Sequence, residues 1–242
     1  MNRTILTLSM AALLLAAAPN PALAAKGPSS AEVDDGVAAL TSGQRSLMSA
    51  AADTHTVALT DQSAATFDLE VARLEEKEAR AWEASVTARI TALRAASAVA
   101  SKQDDGAAVE ALAVEAVQAD QAHAWTQARV AAARKRVQYE TARVAWAKVN
   151  VDHAVLGVEV ARLQTFKAHV EDSPRVDLEI GKTQTRLGKT GAQEARERLK
   201  RDTQHADWRE AWTLAEGLTP AVDTLSAGNR AASTSNVALV EE

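Results

Sequence analysis

Residues 130–158 read VAAARKRVQYETARVAWAKVNVDHAVLGV and place a valine at 130, 137, 144, 151 and 158. A strict seven-residue repeat of an apolar residue is the signature of one edge of a coiled-coil seam. With Val130, Val137, Val144, Val151 and Val158 at the a position, d holds Ala133, Glu140, Ala147, Ala154 and Ala161. Small residues at d let a neighbouring helix approach closely. Run backwards, the same register passes through Val109, Leu112, Ala116, Ala119, His123 and Thr126, so the polar members of the seam are His123, Thr126 and Glu140.

The same segment carries a second apolar line. Trp125, Ala128, Ala132, Tyr139, Ala142, Trp146, Val149, Leu156, Val160 and Leu163 also step by three and four, with Lys135 and His153 among them. A two-stranded coil would solvate these positions. A helix that is apolar on two sides is expected to be sandwiched, and a third helix is the natural cover.

Working outward, SKQDDG (101–106) is the sharpest turn signal, and EDSP (171–174) closes the long central segment. The expected helices are about 31–101, 106–171 and 176–218. Sixty-odd residues at 1.5 Å per residue make a helix of about 100 Å. In the first helix Phe67, Val71, Leu74, Trp82, Val86, Ile90 and Leu93 supply the expected apolar face. The stretch 41–63, with Gly43, THT and TDQS, is weaker, and the pattern leaves open whether the helix is continuous through 41–66. In the third helix Gly181, Gly188 and Gly191 weaken the first half. Residues 219–242 are small and polar, and read as a disordered tail.

Charge orients the first pair. If the turn centres near Asp104, residue x of one helix faces 208 − x of the other. Arg129, Arg134, Lys135 and Arg136 then oppose the stretch containing Glu75, Glu76 and Glu78, which favours an antiparallel hairpin. The expected fold is all-α: a long antiparallel helical hairpin with a shorter third helix, rod-like, spanning 25–218.

Residues 1–24 read as an address. Arg3, an apolar run from Ile5 to Ala18, Pro19 and Pro21, and Ala22-Leu23-Ala24 follow the order of a secretory signal peptide cleaved after Ala24. The run is shorter than the ~20 residues that span a bilayer, and no transmembrane segment is expected in the mature chain. The expected location is periplasmic or secreted. Without Arg3 the chain has 26 basic and 32 acidic residues, a net charge of −6. That balance argues against a general nucleic-acid binder. The chain has no cysteine, which excludes disulfides, thiolate chemistry and lipid attachment at a cysteine.

Little chemistry stands out. Asp120/His123 and Asp202/His205 are D-x-x-H pairs, each able to present two metal ligands on one helix face; both read first as polar surface. No H-E-x-x-H, G-x-S-x-G or phosphate-cradling glycine loop occurs, so no enzyme, catalytic residue, metal or cofactor is expected. Arg129–Lys148 forms a basic run interleaved with Tyr139 and Trp146, in which Arg134, Lys135 and Arg136 are candidate interaction residues for phosphate-rich partners. Neutralisation by the acidic helix is the favoured alternative. Trp208 and Trp212 flank REA and form either a packing contact or an exposed docking patch, with packing favoured.

In outline alone the chain resembles the helical barrels of TolC-like outer-membrane efflux proteins and the arms of Skp-like periplasmic chaperones. It lacks the strands of the first and the basic charge of the second, and it shares a motif with neither, so no family is assigned. The expected role is a structural, scaffold or adaptor element of the cell envelope. It would act through a protein partner or self-association, with peripheral envelope contact. A holdase-type chaperone and a metal- or small-ligand-binding helical protein are the alternatives.

Overall fold

The computed structural model describes residue 40, residues 42–168 and residues 174–218. The leader reading of 1–24, the start of the first helix near 31 and the tail from 219 lie outside the described residues. Among those described, three helices account for the architecture: α1 Ser42–Lys102, α2 Gly106–Lys167 and α3 Pro174–Gly217. The fold is all-α, an antiparallel hairpin of α1 and α2 with α3 as a third helix. None of the three is long and apolar enough to cross a membrane.

The chain divides into two compact units. One comprises residues up to Leu59 together with Asn150–Gln193; the other comprises Thr60–Val149 and the residues from Glu194 onward.

The weak stretch 41–63 does not interrupt α1, which is helical from Ser42 through Lys102. Threonine disfavours helices when its hydroxyl competes for the backbone. Here Thr54 and Thr56 donate to the carbonyls of Ala50 and Ala52 four residues back, each at 2.9 Å, so both hydroxyls are satisfied within the helix. A departure concerns Pro174, which opens α3 rather than preceding it. Proline fits the first helical turn because its missing N–H has no intrahelical acceptor there.

The turn between α1 and α2 is built by two aspartates with different duties. Asp104 has φ 53°, the only positive φ among the described non-glycine residues. Asp105 N–H reaches back to the Ala100 carbonyl at 3.2 Å and Asp104 N–H to that of Ser101 at 3.4 Å, the two bonds of a Schellman cap. Asp105 then caps α2, its Oδ1 accepting from Ala108 N–H at 3.0 Å.

In the unit containing this turn, the α1/α2 pairing follows the antiparallel register. Ion pairs join Arg89 to Glu115 (3.4 Å), Arg134 to Glu76 (3.6 Å), Arg143 to Asp68 (2.5 Å), and Arg136 to Glu75. Trp82 meets Trp125 edge to face at 6.2 Å. All five pairs lie within a few residues of the 208 − x relation. Near the turn, Ile90 and Leu93 of α1 bury Ala119 of α2, with Val86 and Leu112 packed alongside.

In its N-terminal half α1 buries a different face from the expected one, whereas Ile90 and Leu93 of the expected face are buried. Phe67 and Leu74 are 69% and 67% exposed, whereas Ala65, Leu69 and Ala72 are buried. The larger side chains drew the reading, but the seam facing α2 runs through alanine. Small residues on both helices bring the backbones close, and charged flanks then reach across the narrow gap.

In the other unit α2 pairs with α3. Leu163 and Phe166 bury Val176 and Ile180. Farther along, His153 Nδ1 lies 3.3 Å from Thr190 Oγ1, and a Cβ at Gly191 would sit 3.2 Å from the His153 ring. Gly191 is therefore a close-approach glycine, whereas Gly181 and Gly188 face open space.

The turn yields two substitutions of opposite sign. Asp104→Gly keeps the left-handed cap but removes the Cβ crowding that an L-residue meets there, and should raise unfolding stability by roughly 0.5–1 kcal/mol. Asp105→Ala deletes the α2 cap and should lower it by about 1 kcal/mol. Urea midpoints of the two variants measured side by side decide both.

Candidate functional site

The side chains with the most chemistry lie together in the unit formed by Thr60–Val149 and the residues from Glu194 on. All five tryptophans are there. Heptad spacing sets Trp125, Tyr139 and Trp146 along the second line of α2, and α3 returns antiparallel so that Trp212, Trp208 and Glu194 meet them in that order.

Three guanidinium groups sit against these rings. Arg129 lies 5.7 Å from the Trp125 centroid and 4.9 Å from that of Trp212, filling the space between them. Arg136 is 5.8 Å from Trp208 while also pairing with Glu75. Arg201 is 4.4 Å from Trp146, whose Nε1 donates to Glu194 Oε1 at 2.6 Å. Between them, Trp208 stacks on Tyr139 at 5.6 Å and 5°, and His205 packs on both rings at 4.9 and 5.6 Å. A cation over an aromatic face contributes about 0.5–1 kcal/mol when exposed and about 2 kcal/mol or more when desolvated, so at these half-buried sites their number matters.

Four members of the basic run meet carboxylates of neighbouring helices, Arg129 lies against indole rings, and Lys148 is exposed. Arg134 faces Glu76, Arg136 faces Glu75, Arg143 faces Asp68, and Lys135 reaches Asp207 of α3 at 3.2 Å. Neutralisation comes from both neighbouring helices, not from α1 alone. Trp208 and Trp212 are half-buried in this packing: Trp212 lies with Ala211 against Ala128, Ala132 and Ala215.

The valine line is distributed unevenly. Val130 is buried, whereas Val137, Val144, Val151 and Val158 are half-buried. Three of the d residues, Glu140, Ala147 and Ala154, are buried, so α2 leans on its small side. Glu140 is 4% exposed, and burial raises its carboxyl above the usual range. Arg143 opposes that rise by charge and by a 3.2 Å contact, and Asp68 adds to it. Burial works against the Arg143 guanidinium as well, but Asp68 and Glu140 together outweigh it and raise its value. The Tyr139 phenol is also pushed up, by burial first and then by the Glu140 charge.

The D-x-x-H pairs do not assemble into ligand sets. Asp120 is exposed and His123 half-buried, with His123 Nε2 3.4 Å from Gln127 Nε2. Asp202 is held by Arg201 at 2.6 Å, and His205 is packed against Tyr139 and Trp208. Among the described residues no group of three or more metal-ligating side chains comes together. The Glu140–Arg143–Asp68 cluster and the Arg201–Trp146–Glu194 cluster are the features that sequence reading did not assemble. A charged residue at d followed by an arginine one turn on was the available signal for the first.

Comparison with protein-family models, with curated proteins and with solved structures finds no match for this chain.

Glu140 gives a signed pH dependence. Its folded-state carboxyl titrates above the unfolded value, so the native state binds the extra proton between those two values, and stability falls as pH rises through that window. Glu140→Gln removes the cost of the buried charge while keeping an acceptor for Arg143. Its melting temperature should exceed that of the parent at pH 7. The gap should close as the pH falls below the ordinary carboxylate range, where Glu140 is protonated in both states. Melting curves of both proteins from pH 3 to pH 8 check this.

Proposed function

We propose that this protein is exported and non-enzymatic, and that it serves as a structural, scaffold or adaptor element of the cell envelope. The observation that carries this reading is the use made of its reactive-looking side chains. The guanidinium groups of Arg129, Arg136, Arg143 and Arg201, and all five indoles, are engaged across helix interfaces. Side chains that could have formed a phosphate-binding or docking surface instead hold helices in register. The order of residues 1–24 supports export, and the protein would work through protein contacts or self-association rather than nucleic acid. Peripheral contact with the envelope fits that role.

A holdase-type chaperone is the second reading, favoured by the exposure of Phe67 and Leu74 on α1. Exposed apolar side chains along a helix are where an unfolded client would be gripped.

Two measurements separate these readings. Expressed in a Gram-negative host and fractionated, the full chain should appear in the periplasm or medium with Ala25 as its new N-terminus. Retention in the cytoplasm with Met1 or Asn2 leading would sink the export reading. The purified protein should leave the aggregation of a chemically unfolded client unchanged. Suppression near equimolar ratio would transfer the proposal to the holdase.

A further inference from the structure

Helix α1 repeats the two-sided pattern of α2, but its second side has no cover among the described residues. One line, through Ala65, Leu69, Ala72, Ile90, Leu93 and Ala100, is buried. Another, at the same alternating spacing of three and four, runs from Ala64 to Val99 on the opposite side of the helix. Its N-terminal half is bulky: Phe67 and Leu74 are exposed, with Val71 half-buried between them. Past Glu78, its C-terminal half is small, with Ala81, Ser85, Ala88, Ala92 and Ala95 all exposed.

We infer that this line is a self-association surface, on which the α1 of a second copy of the chain packs antiparallel about a two-fold axis between Ala79 and Arg80. Coiled-coil layers pair a with d of the facing helix, and this axis brings residue x opposite 159 − x. Phe67 then meets Ala92 of the second copy, Val71 meets Ala88, and Leu74 meets Ser85. Phe67, Val71 and Leu74 each fall on a small residue, the large-on-small interdigitation that a close-packed seam requires. Glu78 faces Ala81, which leaves its carboxylate room to reach the edge.

The alternatives fare worse on the same residues. Parallel, in-register pairing would stack Phe67 on Phe67 and alanine on alanine, leaving a clash at one end and voids at the other. It would also set Glu78 against Glu78. The extent is adequate too: the seam and flanking positions between Ala64 and Val99 come to about twenty residues, the number a standard interface has on each side. The inference stands on α1 alone and does not depend on export or on the scaffold reading.

The test exploits the absence of cysteine. Full-length chain should sediment as a dimer, with a melting temperature that rises with concentration. Val71→Cys mixed with Ala88→Cys should form disulfide-linked dimers. Neither variant alone should link to itself, since the two positions are about 25 Å apart along the helix. Leu74→Glu, at an exposed position, should keep the helical circular dichroism and raise the dimer dissociation constant on the order of a hundredfold. Phe67→Ser provides an independent disruption at a second layer, with the same outcome expected. A chain that is monomeric at every concentration overturns the inference. So does Val71→Cys linking to itself, which would mean parallel pairing, or a dimer that neither Leu74→Glu nor Phe67→Ser weakens, which would place the contact on another face.

Discussion

Everything in this fold depends on α2 being apolar on two opposite sides. A helix with a single apolar line needs one neighbour; α2 carries two lines, and water is excluded from both only if a helix lies against each. In the unit that holds the α1/α2 turn, α1 takes one side through Ile90, Leu93 and the alanines, and α3 takes the other through Ala211, Trp212 and Ala215. Both pairings are antiparallel.

Alanine seams hold helices close but discriminate poorly between registers, because a slip of seven residues sets alanine against alanine again. The charged and aromatic side chains supply what the seam lacks. A slip of α1 along α2 would part Arg143 from Asp68 and Arg136 from Glu75. A slip of α3 would lift Trp208 off Tyr139 and Arg129 out from between Trp125 and Trp212. Individually these contacts contribute little. Collectively they make one alignment better than its neighbours, a specificity role that buried polar groups play in other coiled coils.

The hairpin, its turn at Asp104 and the need for a third helix were all legible in the sequence, because heptad periodicity and charge order survive folding unchanged. The face that α1 turns inward near Ile90 and Leu93 was legible too, but the one it turns inward around Leu69 was not. Phe67, Val71 and Leu74 look like core by size, and only three-dimensional packing reveals that Ala65, Leu69 and Ala72 fill that place. Two overlapping lines of equal spacing on one helix leave the assignment to whichever fits the neighbour, a property of the pair and not of the strand of sequence. For the same reason the partners of the basic run were half visible: the acidic stretch of α1 is compact, whereas Asp207 and Glu194 lie on α3, whose register depends on a second turn. The threonines at 54 and 56 looked like helix breakers because propensity counts the competition of their hydroxyls and not its resolution within the helix.

The two reversals also set an order of events. Contacts near the first turn close short loops, 26 residues for Arg89 with Glu115, whereas Arg143 and Asp68 are 75 apart. Closing the longer loop directly costs about 0.9 kcal/mol more in chain entropy, so α1 and α2 zip outward from Asp104. Helix α3 does the same from its own turn, from the 37-residue separation of His153 and Thr190 to the 72 of Lys135 and Asp207. Around Tyr139 both neighbours of α2 contribute, α1 through Glu75 and α3 through His205 and Trp208. That is where the chain has concentrated its stacked rings, its paired arginines and the one carboxylate residue buried among the described residues, far along the sequence from the turn at Asp104.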